Sequence, residues 1–340
     1  MKTLSSFAQL ESKLSEAEQK RSISDDEFRE SLSMWCLSPE VFGQAPEDPL
    51  SSEFTDYQLG IYEWLAKKEY DARNEETVFD FDHELLWPYP YGTRSAQTVG
   101  MHLIGYGWLI KAMDLPAGSR ILEIGSGYGA LTIHLASMGY QVTCLDVSSS
   151  LLNFVKARTA HLPQQVETIC GDMATAVIEG TFDAVVFSAS LHHSPEHRAV
   201  LRRLDAVLTS NGIVAFAAEP VVPDDSECVP YPWGVRLDGL SVWSITRWGW
   251  LELGFQESYF VHLLRDIGWK LRRHNLGLSG QTDVWIANRA EREDSYAAGD
   301  IVSDEYSVDL ETEVIRLRKL VEGYERGRFI RFARWLKGRF

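Results

Sequence analysis

The chain has 340 residues, 45% of them hydrophobic and 24% charged, so it is long enough to bury a substantial core in more than one domain. Its formal net charge of −16 argues against a general nucleic-acid-binding protein, because phosphate binding requires a cationic surface. We expect no transmembrane helix and no secretory signal. The spacing of the four cysteines indicates neither a disulfide framework nor a zinc site. Reduced, buried thiols favour a cytoplasmic location.

The first 95 residues are predicted to be a helical region on the substrate side of the protein. Apolar residues recur at helical spacing among Glu, Lys and Ser, which predicts a helix over residues 1 to about 35. Further helices are predicted over about 57–70 and 96–113. Between them, the stretch 84–94 alternates prolines with aromatic residues and cannot form a regular helix.

Residues 96–290 are predicted to form one α/β domain. Strand-like runs alternate with helical stretches, and this order implies a mostly parallel sheet covered on both faces. The runs in question are 120–125, 140–146, 166–172, 182–188 and 212–219. After a Pro-, Gly- and Trp-rich insertion at about 220–255, a helix at about 256–267 and the runs WKLRRHNLG and TDVWIANR predict an antiparallel pair at one sheet edge.

A glycine-rich loop follows the first predicted strand of this domain. Gly125, Gly127 and Gly129 occupy alternate positions, which lets the backbone turn sharply and lets a ligand press against it. A helix begins directly after the loop and presents free N–H groups to that ligand. The pattern predicts a nucleotide-type cofactor site.

Two cofactors are compatible with this loop. Gly125-x-Gly127-x-x-Ala130, followed by Asp146, satisfies the dinucleotide fingerprint, so an NAD-dependent oxidoreductase is one alternative. Glu123 stands two residues before the first glycine, however, where a carboxylate suits a cationic ligand better than a pyrophosphate. The charge pattern therefore favours a positively charged cofactor over NAD.

Residues 115–290 resemble class I S-adenosylmethionine-dependent methyltransferases of the small-molecule, type 11-like branch, which includes quinone-biosynthesis enzymes. The resemblance rests on E-x-G-x-G-x-G at 123–129, the acid Asp146, the pair Gly171-Asp172, and FDAVVFSASLHH at 182–193. It implies a Rossmann-like sheet with an antiparallel edge and S-adenosylmethionine as the cofactor. The WPYPYGT stretch at 87–93 is similar to methyltransferases associated with bacterial polysaccharide biosynthesis.

The resemblance also implies roles for the cofactor-side residues. Asp146 should accept hydrogen bonds from the ribose hydroxyls, and Glu123 should lie near the methionine ammonium. Asp172 or the Met173 backbone should face the adenine. The full set of predicted cofactor contacts is Glu123, Gly125, Ser126, Gly127, Gly129, Asp146, Val147, Asp172, Met173 and Ser188.

Candidate catalytic residues follow the fourth and fifth predicted strands. A hydroxyl acceptor needs a general base, and histidine suits this role near neutral pH. His193 is the favoured base and His192 and Glu219 are the alternatives, although each has a structural interpretation: loop packing for the histidines and an exposed loop acid for Glu219. No metal is predicted, because the sequence has no H-x-x-x-H motif and no clustered Asp/His triad.

The aromatic insertion at 228–255 is predicted to bind the acceptor, since flat rings stack on sugar C–H surfaces or lipid-like rings. We expect the stretch 84–94 to form the opposite wall of the acceptor-binding site. A small aromatic core is the alternative interpretation of the insertion. The predicted acceptor contacts are Tyr91, Arg94, Tyr231, Trp233, Trp243 and Trp248.

Residues 291–340 are interpreted as an acidic linker followed by a helical tail. Arginine and lysine alternate with Phe and Leu over 326–340, which predicts a basic amphipathic segment for an anionic membrane surface or an acidic partner; folding back onto this acidic chain is the alternative. The terminal helical segments are also candidates for a homodimer interface.

These observations predict methyl transfer to a hydroxyl of a sugar or lipid-linked glycan precursor, in the cytoplasm or at the inner face of the membrane. The alternatives are a quinone, polyketide or other small metabolite as acceptor, and NAD-dependent oxidation. We expect no nucleic-acid partner.

Overall fold

A computed structural model describes residues 2–86, 95–278, 282–289 and 302–303 of the chain. Its strands are β1 (Lys2–Leu4), β2 (Trp35–Leu37), β3 (Arg120–Ile124), β4 (Gln141–Asp146), β5 (Glu167–Cys170), β6 (Phe182–Ser188), β7 (Leu208–Ala217), β8 (Val221–Val222), β9 (Trp233–Val235), β10 (Leu253–Gln256), β11 (Trp269–Asn275), β12 (Asp283–Arg289) and β13 (Val302–Ser303). Its α-helices are α1 (Phe7–Arg21), α2 (Asp25–Ser33), α3 (Ser52–Ala66), α4 (Phe81–Leu86), α5 (Ala96–Met113), α6 (Ala130–Ser137), α7 (Ser149–Thr159), α8 (His197–Arg203), α9 (Gly239–Trp248) and α10 (Glu257–Asp266).

Eight strands form the central sheet, in the order β13-β11-β12-β7-β6-β3-β4-β5. The five strands β3 to β7 pair in parallel, whereas β12 runs antiparallel to both β7 and β11. The predicted α/β class and the antiparallel pair near one edge are confirmed. Strand β3 lies between β4 and β6, so the chain leaves it first toward one edge of the sheet and later toward the other. This reversal of strand order creates a topological switch point at the carboxyl ends of β3, β4 and β6.

Strand β6 explains why the predicted strands are continuously apolar. Val185 and Phe187 contribute to the hydrophobic cluster on one face of the sheet, whereas Ala184 and Val186 contribute to the cluster on the other. Side chains alternate between faces along a strand, so a sheet covered by helices on both sides requires apolar residues at every position.

The N-terminal region differs from its prediction. The single helix expected over residues 1 to about 35 is divided into β1, α1 and α2, because Ser24 caps a new helix by accepting hydrogen bonds from Asp26 and Glu27. The helix expected over 57–70 is α3, which begins earlier, at the Ser51 cap, and ends where Lys67 adopts a φ of +57°. Helix α5 has the predicted bounds.

The N-terminal region and the insertion at 220–255 share one hydrophobic core. Leu32, Trp35 and Tyr62 belong to the same buried cluster as Trp233 and Val242, and this cluster continues onto one face of the central sheet. The insertion forms a small sheet of order β8-β10-β9 and the helix α9. These two regions therefore pack together on the domain rather than as separate appendages.

Among the described residues, no helix combines the length and the apolar composition needed to cross a bilayer.

Candidate active site

A cavity of about 420 Å³ lies at the switch point of the sheet. Gly125 after β3, Val147 after β4 and Ala189 after β6 line one side, while Glu75 from the N-terminal region and Trp250 from the insertion line another. Open α/β sheets bind ligands at this position, outside the carboxyl ends of the strands.

The glycine loop forms the tightest part of the cavity wall. Gly125, Gly127 and Gly129 have φ values of +73°, +50° and +67°, a region that L-residues with a Cβ rarely adopt. A Cβ at Gly125 would lie 2.4 Å from the Cβ of Ser190. The loop after β3 and the loop after β6 can therefore approach each other only because residue 125 is glycine.

Two carboxylates face the cavity from the ends of adjacent strands. Glu123 accepts a hydrogen bond from Thr132 Oγ1 at 2.6 Å, and burial raises its pKa to about 8. Asp146 accepts hydrogen bonds from the backbone N–H groups of Gly127 at 2.8 Å and Ser148 at 2.9 Å, and burial raises its pKa as well. Buried carboxylates with raised pKa values are favourable partners for a ligand that brings positive charge.

Except for Gly129, all predicted cofactor contacts lie in the cavity wall. Gly129 instead caps α6, where an added Cβ would lie 2.8 Å from Val155. Ser126 presents a buried hydroxyl that has no hydrogen-bond partner among the described residues. The cavity-lining members of the predicted set are Glu123, Gly125, Ser126, Gly127, Asp146, Val147, Asp172, Met173 and Ser188.

These features fit S-adenosylmethionine. The carboxylates of Glu123 and Asp146 suit its cationic groups and its ribose diol, and the unpaired Ser126 hydroxyl offers a further polar contact. Gly125 and Gly127 have no side chains, so the cofactor can approach the backbone of the loop closely.

Two alanines at the cavity wall adopt a conformation that is unusual for residues with a Cβ. Ala189 follows β6 with a φ of +52°, and Ala218 follows β7 with a φ of +54°. Both line the cavity. Left-handed conformations of non-glycine residues cost about 1–2 kcal/mol and cluster at functional sites.

The loop after β6 is held in place by Glu219. Its buried carboxylate accepts hydrogen bonds from the backbone N–H groups of Ser190, Leu191 and His192, at 2.8–3.2 Å. The same carboxylate lies 2.8 Å from Nδ1 of His192. Glu219 does not line the cavity, and these hydrogen bonds make it an anchor of the histidine loop; its role as a general base stays a prediction.

His193 reaches the cavity in a neutral form. Its Nδ1 donates a hydrogen bond to the carbonyl oxygen of Leu251 at 2.6 Å, and the Glu75 carboxylate lies 3.3 Å from the same nitrogen. Burial and the neighbouring His192 hold the pKa of His193 well below its ordinary value. Because a carbonyl accepts only, the proton sits on Nδ1, and Nε2 retains a lone pair.

The structure places three of the predicted aromatic acceptor contacts away from the cavity. Tyr231, Trp233 and Trp243 are buried in the shared hydrophobic core and do not line the cavity. Trp233 donates a hydrogen bond to the carbonyl of Pro49, and Trp243 donates one to Glu18, as core aromatics with polar edges commonly do.

Trp248 also lies outside the cavity wall, but it stacks on Trp250, which lines the cavity. Tyr91 and Arg94 belong to the part of the chain that the structure does not describe, as does the tail 326–340.

Several polar residues of the cavity were not among the predicted site residues. Glu75 lies on a single 3₁₀ turn, and burial raises its pKa well above the ordinary value. Arg29 also lines the cavity, and Glu252 lies 3.7 Å from Nε2 of His192. No motif marks them, because each comes from a segment distant in sequence from the glycine loop.

The fold and the site define a class. A parallel sheet with an antiparallel strand inserted next to β7, a glycine loop after its first strand, and an acid at the end of each of the first two strands together characterise class I S-adenosylmethionine-dependent methyltransferases.

Comparisons with known proteins support this class. Residues 122–216 match the family described as "Methyltransferase domain". An uncharacterized methyltransferase of Mycobacterium bovis is 35% identical over 114 residues, which cover 33% of this chain and 56% of the relative. Residues 122–216 therefore match a methyltransferase domain, and this match favours S-adenosylmethionine as the cofactor.

Two further relatives carry functional names. A ubiquinone biosynthesis O-methyltransferase of Xanthomonas axonopodis is 31% identical over 105 residues, covering 30% of this chain and 44% of the relative. A demethylmenaquinone methyltransferase of Corynebacterium urealyticum is 30% identical over 159 residues, covering 46% of this chain and 58% of the relative. The chain thus spans about half the length of the curated relatives it matches.

Proposed function

We propose that this chain transfers a methyl group from S-adenosylmethionine to a hydroxyl of a sugar-type acceptor. The proposal depends on one observation: the carboxylates of Glu123 and Asp146 and the neutral imidazole of His193 open into the same cavity. This arrangement would bring a cationic donor and a proton acceptor to the two sides of one reacting hydroxyl.

The donor side would be formed by the glycine loop and its two acids. Glu123 would hold a cationic group of the donor, and Asp146 would accept hydrogen bonds from the ribose hydroxyls. When bound, S-adenosylmethionine supplies a methyl group on a positively charged sulfur, which needs no further activation. The main task of the protein is therefore to align the reactants, an effect of about 7–11 kcal/mol.

The acceptor side would centre on His193. Its Nδ1 is fixed by Leu251, so Nε2 is the nitrogen that would take the proton from the acceptor hydroxyl. Since the pKa of His193 lies well below its ordinary value, the lone pair stays available throughout the neutral pH range. Tyr70 donates a hydrogen bond to the His193 carbonyl at 2.8 Å and would keep the loop in position.

The charge of the cavity favours a polyhydroxylated acceptor over an apolar ring. Arg29, Glu75 and Arg236 all line the cavity, and charged groups bind sugar hydroxyls better than they bind a quinone ring. A quinone is the second candidate, because two relatives are named for quinone pathways and Trp250 supplies a flat aromatic face.

We propose lipid-linked glycans as the acceptor class because the sequence of segment 326–340 predicts a basic amphipathic element. Membrane contact through this segment stays a prediction. Deletion of residues 303–340 should release the protein from anionic vesicles while S-adenosylmethionine binding is preserved. Equal vesicle binding by the shortened chain would refute this part of the proposal.

The proposed function is tested by supplying methyl-labelled S-adenosylmethionine with three acceptor pools: nucleotide sugars, a cell-envelope glycolipid extract and short-chain quinols. We expect label in a sugar-containing product. Labelling of quinols alone would assign the second candidate. Calorimetry with S-adenosylmethionine and with NAD supplies the donor control, and binding of NAD alone would overturn the proposal.

A further inference from the structure

Two histidines that line the cavity lie close to a buried glutamate, Glu252. One nitrogen of His192, one nitrogen of His193 and one carboxylate oxygen of Glu252 all lie within 4.8 Å of one another. His192 and His193 follow β6, whereas Glu252 comes from the insertion, and all three side chains are buried or half-buried. Only the tertiary fold brings these groups together.

Both imidazoles are fixed through Nδ1. Nδ1 of His192 lies 2.8 Å from the Glu219 carboxylate, and Nδ1 of His193 donates to the Leu251 carbonyl at 2.6 Å. Metal-binding histidines are usually oriented in this way, with the second ring nitrogen donating to a carboxylate or to a backbone carbonyl. A neutral ring that donates from Nδ1 has a lone pair on Nε2 with which to bind a metal.

The spacing of one pair of candidate ligand atoms fits a metal better than a hydrogen bond. Nε2 of His192 and a carboxylate oxygen of Glu252 are 3.7 Å apart, which is too far for a hydrogen bond. Two ligands at about 2.0–2.2 Å from a tetrahedral zinc ion are separated by about 3.4 Å. A shift of a few tenths of an ångström would give both atoms that separation.

We propose that His192, His193 and Glu252 form a binding site for a divalent transition-metal ion, with zinc as the probe. Two imidazoles and one carboxylate favour zinc over magnesium, which prefers oxygen ligands, and three protein ligands leave the fourth position of a tetrahedral ion for water or another ligand. This site goes beyond methyl transfer. A bound ion would use the lone pair that His193 offers to a hydroxyl proton, so the metal and the proton compete for one nitrogen.

The guanidinium of Arg236 sets a limit on the affinity. Its Nη1 lies 3.9 Å from the Glu252 carboxylate, and its closest acidic partner is Asp238, at 3.1 Å. A nearby positive charge repels a cation, so we expect micromolar rather than nanomolar binding of zinc.

The test is calorimetric titration of the untagged full chain with zinc chloride and, separately, with magnesium chloride. We expect one zinc ion per chain and no magnesium binding. The variants His192→Ala, His193→Ala and Glu252→Gln should each weaken zinc binding by at least about tenfold. The matched control is His262→Ala, which removes an exposed histidine on α10.

Each variant is also titrated with S-adenosylmethionine, so that loss of the fold is recognised. Zinc binding that is equally strong in wild type and in the His192→Ala/His193→Ala double variant would overturn the proposal, as would equal binding of magnesium. Because no turnover is measured, failure of the metal site leaves the proposed methyl transfer unaffected, and failure of methyl transfer leaves the metal site testable.

Discussion

The two sides of the cavity are built in different ways. On the donor side, Glu123, Gly125 and Asp146 each stand within a residue or two of the end of their own strand, so the sheet alone determines where they lie. On the acceptor side, Glu75 and Trp250 come from segments more than 170 residues apart and meet only through tertiary packing. Donor binding should therefore tolerate changes that disturb acceptor binding, and the following predictions test this independence.

The largest effect is expected at His193. His193→Ala should lower kcat by about 10²–10⁴-fold, because the proposed proton acceptor is lost, whereas the Kd for S-adenosylmethionine should stay unchanged. Steady-state kinetics combined with calorimetry measures both. His161→Ala, which removes an exposed histidine, is the control. Unchanged turnover would mean that His193 is not the base.

For Asp146 we expect the opposite result: a change in the Kd for S-adenosylmethionine. Asp146→Ala removes a carboxylate from the donor side and leaves the Gly127 and Ser148 amides without their acceptor, so S-adenosylmethionine binding should weaken about 100-fold or more. Asp183→Ala is the matched control, since Asp183 also accepts a backbone hydrogen bond, from Arg120, but lies away from the cavity. If both variants bind the donor equally well, the assigned role of Asp146 is wrong.

A smaller, pH-dependent effect is expected at Glu123, whose pKa burial raises to about 8. A cationic donor favours the ionised carboxylate, whose fraction rises about 25-fold between pH 6.5 and 8.5, so affinity should rise by up to that factor. Glu123→Gln should remove this dependence. Calorimetry across the pH range measures it, and identical slopes for variant and wild type would count against an ammonium or sulfonium near Glu123.

The same pKa shift predicts how the unfolding free energy of the donor-free protein depends on pH. The folded pKa of about 8 lies above the ordinary value of 4.5, so folding favours the protonated carboxyl. The resulting contribution to the unfolding free energy is fully present below pH 4.5 and is lost as the pH rises through about 8. Glu123→Gln should therefore flatten this decline in denaturant titrations.

The smallest effect is expected at Tyr62, which donates a hydrogen bond to the Gly249 carbonyl at 2.6 Å. Tyr62→Phe should lower the unfolding free energy by about 1–2 kcal/mol and raise the KM for the acceptor, with no change in donor affinity. Tyr140→Phe is the matched control because Tyr140 donates a similar bond, to Leu115, outside the acceptor side. It should lower stability without changing the acceptor KM.

The donor side was predictable from the sequence because its signals are local. A strand, three alternating glycines and an acid at the end of the next strand occur in one continuous stretch, and their relative positions follow from the geometry of a parallel sheet. The alternation of strands and helices likewise predicted the domain and the antiparallel pair of β11 and β12.

The acceptor side was not predictable in the same way. Trp233 and Trp243 have the composition of a ligand-binding face, but the same residues also build an aromatic core, and only packing decides between the two. Glu75 and Glu252 carry no motif, and the role of Glu219 as an anchor depends on where the loop after β6 lies. Local patterns do not encode such long-range contacts.

The hydrogen bond from the Leu251 amide to the Glu75 carboxylate, together with that from Tyr70 to the His193 carbonyl, ties both segments to the histidine loop. The acceptor pocket therefore cannot be transferred to another protein as a single continuous segment. An excised fragment corresponding to the matched stretch 122–216 would carry the donor loop and His193 but would lack Glu75 and Trp250, which also line the cavity. Engineering a new acceptor preference would require exchanging the N-terminal region and the insertion as one matched pair.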